Sequence, residues 1–126
     1  MRIAFIFLLT FFLTACATRV PDLSYTVPRG IYSRGQVRKA VLAAAEHDHW
    51  QAKHLKPGLI VARKDRNQEM LEIYIAYGYH GYNIDYANSE NMQYQFQNEQ
   101  ISRDYLKWVL ELNNEIQVQL NKIAWK

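Results

Sequence analysis

The chain has 126 residues, with 15 Lys and Arg against 12 Asp and Glu and a formal net charge of +3. That length allows one domain with a single core. The basic residues are scattered, which argues against nucleic-acid binding, and the single cysteine excludes an intramolecular disulfide.

Met1-Arg2 precedes an apolar run from Ile3 to Leu13 that is interrupted only by Thr10. One positive charge ahead of a short apolar run is the order of a secretory signal. The run is shorter than the roughly 20 residues a spanning helix needs. The residues Leu13-Thr14-Ala15-Cys16 then resemble the lipobox of bacterial lipoproteins: an aliphatic residue, two small residues and a cysteine. The resemblance implies cleavage before Cys16, a diacylglyceryl group on its thiol and an acyl chain such as palmitate on its new amino group. Ala17, where an aspartate would signal inner-membrane retention, implies sorting to the outer membrane with the body facing the periplasm. The membrane would then be held through the lipid on Cys16. Each buried methylene contributes about 0.8 kcal/mol, so two or three chains anchor where one holds only marginally.

The chain therefore divides into a signal peptide (1–15), a lipidated cysteine with a flexible tether (16–30) and one globular domain (31–126). Pro21, Pro28 and Gly30 support the tether reading. Its fourteen residues after the cysteine would span about 20 Å as a flexible chain.

Ser33 and Gln36 have capping-box spacing. Val37, Ala40, Val41, Ala44 and Ala45 follow at helical spacing and predict a helix over 35–47. Residues 50–55 read as a short strand, Lys56-Pro57-Gly58 as a turn and 59–64 as a second strand. After the polar turn at 65–68, residues 70–77 form the longest strand, with Leu71, Ile73, Ile75 and Tyr77 on one face. Gly78-Tyr79-His80-Gly81 closes a hairpin. Tyr82, Ile84 and Tyr86 then face inward, and Asn83 and Asp85 outward. Met92, Tyr94 and Phe96 alternate and suggest a short extra edge strand. Ser102 is placed to cap a last helix, whose stripe is Tyr105, Trp108, Val109, Leu112, Ile116, Leu120 and Ile123.

The predicted fold is α+β: a two-layer sandwich with an antiparallel sheet of about four strands, in α-β-β-β-β-α order, and both helices on one face. The Pro-Gly turn into Leu59-Ile60-Val61-Ala62, then Ile73-Tyr74-Ile75, Tyr82-Asn83-Ile84-Asp85-Tyr86 and Tyr105-Leu106-Lys107-Trp108-Val109, resembles small proteobacterial lipoproteins of uncharacterised function. That resemblance covers residues 36–120. It implies architecture and no active site.

Catalytic patterns are sparse. His47-Asp48-His49 could present two imidazoles to a metal, but the predicted helix ends there and no H-E-x-x-H pattern or second cysteine supports a site. Ser89 with His80 and Asp85 lacks a nucleophile elbow. Glu72 and Asp85 fit a cross-strand charge ladder better than a glycosidase pair. No glycine loop suits phosphate. No catalytic residue, metal or cofactor is therefore expected. Tyrosine is the unusual residue, at nine copies concentrated in the second half. Most of these would fill the core or cover the sheet. The hairpin tip of Tyr77, Tyr79, His80 and Tyr82 is the candidate partner-binding patch, since tyrosine is favoured at interfaces. The expected function is a membrane-anchored, non-enzymatic interaction or accessory module for an envelope protein or peptidoglycan. The alternatives are a small metal-dependent or hydrolytic enzyme, or a small-ligand carrier.

Overall fold

Local chemistry fixes the first helix at both ends. In the computed structural model, which describes residues 17–19, 23–26, 30–94 and 100–124, helix α1 spans Arg34–His47. Ser33 Oγ accepts from the Gln36 amide at 3.1 Å, and the Gln36 side chain accepts from the Ser33 amide at 2.9 Å. This is the complete capping box. At the other end His49 takes φ 63. Its amide bonds Glu46 O and that of Trp50 bonds Ala45 O, the Schellman arrangement that glycine usually serves.

Trp50 leads directly into β3 (Gln51–Lys56), followed by β4 (Leu59–Arg66), β5 (Glu69–Gly78) and β6 (Gly81–Glu90). Asn67 and Gln68, both at positive φ, form the tight turn between β4 and β5. Ile60, Ile75 and Ile84 stand opposite one another across three strands, as do Ala62 and Ile73. Facing them are Val37, Val41, Ala44 and Ala45 from α1, with Tyr105, Trp108, Leu112, Ile116 and Leu120 from α2 (Arg103–Ala124). The result is a mixed fold with an antiparallel sheet and both helices packed on one face.

The sheet departs from the expected one in count and order. It has five strands, β2 (Leu23–Thr26) among them, ordered β2-β6-β5-β4-β3. The added member, β2, comes from the stretch read as tether and precedes α1. It pairs antiparallel with β6, Leu23 opposite Ile84 and Tyr25 opposite Tyr82. A second, two-stranded ladder joins β1 (Ala17–Arg19) to β7 (Gln100–Ser102), with Ala17 opposite Ser102. Both N-terminal strands are three or four residues long, so their pairing rests on partners distant in sequence rather than on local pattern. Of the edge strand expected from Met92, Tyr94 and Phe96, the first two lie outside any strand and Met92 is buried; the short strand among the described residues comes at Gln100. Phe96, the leader and Cys16 lie outside the described residues. The capping role expected of Ser102 also fails. It occupies the right position, but its backbone is tied to β1 and to Met92 O, and its buried hydroxyl makes no hydrogen bond among the described residues.

One charged side chain enters the core face. Lys64 is 7% exposed, with Nζ 5.6 Å from the Trp50 ring and 5.8 Å from that of Trp108. It donates to Asp48 O at 3.1 Å and lies 3.8 Å from the Asp48 carboxylate. Trp50 Nε1 donates to the same carboxylate at 3.0 Å. Cation–π contact and hydrogen bonding together offset the cost of burying the ammonium.

Gly81 sets the distance between β2 and β6. Its φ is +135, and a Cβ there would lie 1.9 Å from Tyr25 O. Gly81→Ala should therefore lower the unfolding free energy by about 3 kcal/mol or more, combining backbone strain with the clash. Urea denaturation measures this. An unchanged midpoint would mean that β2 does not hold this close approach.

Candidate binding site at the hairpin end

The tight β5–β6 connection presents Tyr79 and His80 as its two tip residues, between Gly78 and Gly81, which pair with each other. Their rings are 3.8 Å apart, Tyr79 is 49% exposed, and His80 is also exposed. The other two candidates, Tyr77 and Tyr82, stand opposite each other one step behind the tip. Both are buried, at 8% and 4% exposure. Alternation explains the division, because positions 77 and 82 share the inward face with Ile75 and Ile84.

Those two inner tyrosines hold the tip onto the body. Tyr82 Oη donates to Asn113 Oδ1 at 2.5 Å and accepts from Gln117 Nε2 at 2.6 Å, both on α2. Its ring stacks on Tyr25 of β2, with centroids 5.6 Å apart and planes 9° apart. Burial pushes its phenol well above the ordinary tyrosine range, and the Gln117 hydrogen bond offsets only part of this. Tyr77 Oη lies 2.7 Å from His54 Nε2 on β3. Beside that pair, the first turns of α1 and the β3–β4 turn enclose a small cleft. Arg34, Gly35, Arg38, His54, Pro57 and Tyr77 line its volume of about 110 Å³. Sequence reasoning missed Arg34, Arg38 and His54. Their only local signal was the i, i+4 spacing of the two arginines, while the approach of β3 depends on the sheet.

The hairpin end carries Arg34, Arg38, His54 and Lys56, and no carboxylate lines its cleft. The other end of the sheet carries charges of both signs, with Arg63, Lys64 and Arg66 among its acids. Asp65 and Glu90 flank Met70, Glu69 pairs with Arg66 across the ladder, and Asp48 follows α1. Glu69 is held above the usual carboxyl range by burial, then by its hydrogen bond and charge contact with Asp104. Ala17 also belongs to this far end, because it pairs with Ser102 where α2 begins.

The remaining sequence candidates are not brought together. Ser89 bonds the Tyr86 hydroxyl at 2.7 Å, at the far end of β6 from His80. Glu72 stands opposite Asn88, and Asp85 opposite Tyr74. His47 lies 3.3 Å from Glu115, and His49 occupies the helix-terminating turn. Among the described residues no group of three potential metal ligands gathers, and no helix is long and apolar enough to cross a membrane. No protein-family model matches the chain, and neither a curated protein nor a solved structure matches it.

Tyr82, Tyr86 and Tyr105 all have raised phenol pKa values, with burial as the largest cause. Unfolded tyrosines lose their protons near pH 10. The stabilisation from keeping these phenols neutral is therefore complete below about pH 10 and is lost as the pH rises further. Urea unfolding followed between about pH 9 and 12 should show declining stability, with a shallower decline in Tyr82→Phe. Parallel declines in the two proteins would remove Tyr82 as a source of the effect.

Proposed function

We propose that this chain is an envelope lipoprotein, lipidated on Cys16, whose body is a non-enzymatic interaction module with its binding end at the hairpin. The single observation that carries the reading is the position of Ala17 relative to the tip. Ala17 follows the lipobox cysteine and lies at the start of α2. Tyr82 contacts Asn113 and Gln117, about 15–21 Å along that helix from its start at Arg103 at 1.5 Å per residue. Lipid attached at residue 16 would hold that end at the membrane and turn Tyr79 and His80 away from it. The tip would then meet an envelope protein or cell-wall component, and the outer membrane is the proposed anchor. Exposed aromatics on a two-residue turn backed by buried hydrogen bonds form a rigid contact surface, which lowers the entropy cost of binding.

Two experiments test separate parts of this reading. Cys16→Ser should accumulate as an uncleaved, unlipidated precursor on gels and by mass spectrometry. A mature, membrane-bound product from that variant would overturn the anchor. Crosslinking in intact envelopes should recover a partner that is lost at least tenfold on changing Tyr79 and His80 to alanine. Surface changes of this kind cost roughly 0.5 kcal/mol or less, so the fold is retained. An unchanged partner list would remove the tip as the binding end.

A further inference from the structure

We infer that the cleft between the start of α1 and the β3–β4 turn is a binding site for a single oxyanion group, a phosphate or a carboxylate. Arg34 and Arg38 are one helical turn apart, both line the cleft, and neither forms an ion pair or hydrogen bond among the described residues. Like charges at i, i+4 on a helix repel. The first turn of α1 contains no acidic residue to relieve them. Arg63 on β4, by contrast, has a carboxylate partner: it forks onto Asp65 at 2.9 and 3.1 Å. In the same cleft, His54 is fixed by its 2.7 Å contact with the hydroxyl of Tyr77, a side chain more than nine-tenths buried. Two planar five-donor forks beside a held imidazole match an oxyanion, which accepts bidentate hydrogen bonds from arginine.

Size narrows the ligand. About 110 Å³ is room for three or four waters at roughly 30 Å³ each. That suits one phosphate or carboxylate group and falls short of the roughly 300 Å³ and more of sites that enclose a whole small molecule. The cleft would therefore grip a terminal anionic group of something larger, whose remainder extends past the exposed tip. Tyr77 joins the two features, since it lines the cleft and lies two residues before Tyr79. The inference deepens the binding-end reading and rests on it for the identity of the larger partner. The anion test involves neither lipid nor partner, so its outcome is distinguishable from that of the crosslinking experiment.

The test is an NMR titration of the full chain in detergent solution, following the arginine side-chain Nε–H signals. Sodium phosphate and sodium acetate are added separately at constant pH and ionic strength. Saturable shifts of the Arg34 and Arg38 signals with one of these anions are expected, and the anion that binds more tightly identifies the group as phosphate or carboxylate. Affinity should fall at least tenfold in the double variant Arg34→Gln, Arg38→Gln. Both residues are exposed, so that variant should keep the fold, as its amide spectrum would show. The control variant Lys39→Gln, Lys122→Gln removes two cations from the groove between the helices and should change affinity less than twofold. Unsaturable shifts with both anions, or equal losses in the two double variants, would overturn the site.

Discussion

The sheet has one apolar face, and two helices must close it. Along β4, β5 and β6 the inward positions hold Ile60, Ala62, Leu71, Ile73, Ile75, Tyr77, Tyr82 and Ile84, all buried. The outward positions hold Arg63, Glu72 and Asp85. A fully buried large apolar side chain contributes about 1.5–3 kcal/mol relative to an exposed one, against the entropy of ordering the chain. The small residues Ala40, Ala44 and Ala45 let α1 lie close to the sheet. The longer α2 matches the length of the ten-residue strands, both near 33 Å.

Apolar packing decides which face is covered, and hydrogen bonds decide where along it each helix sits. The Tyr82 hydroxyl reaches both Asn113 and Gln117, so a shift of α2 by one turn would strand a buried phenol. Such a group costs roughly 1–3 kcal/mol when left unpaired. Tyr32 Oη donates to Leu120 O at 2.9 Å and ties the lead-in of α1 to the far part of α2. At the opposite end Lys64, Asp48 and the two tryptophans fix the exit of α1 in the same way. The hydroxyls of Ser102 and Tyr105 are the exceptions, buried without a partner among the described residues. Both belong to the start of α2, where β7 and β1 join the body.

Charge placement follows from the same topology. Antiparallel pairing sends the β3–β4 and β5–β6 turns to one end, and helix α1 starts there. Arg34, Arg38, His54 and Lys56 are separate in sequence and become one basic region in space. Tyr77 links that region to the aromatic tip through His54. Only the tip was legible beforehand, because Gly78-Tyr79-His80-Gly81 is a local turn pattern. Tyr77 and Tyr82, expected in the same patch, face inward by strand alternation and are buried, so they support the tip rather than form its surface.

Sequence alone determined the elements whose signal is local. The capping box at Ser33, the period-two runs of β4 to β6 and the apolar stripe of α2 each involve residues within a turn or two of one another, where side-chain spacing dictates secondary structure. It also determined that the buried residues would share one face. Tertiary structure decided what depends on distant partners. Strand β2 exists because β6 offers a free edge and Gly81 lets Tyr25 approach; four residues between prolines carry too little pattern to announce it. Ser102 lost its capping role because its backbone is tied into a ladder with residue 17. The cleft of Arg34, Arg38 and His54 formed because folding brought β3 against the start of α1. In each case the deciding contact joins segments remote in sequence, and no local periodicity encodes it.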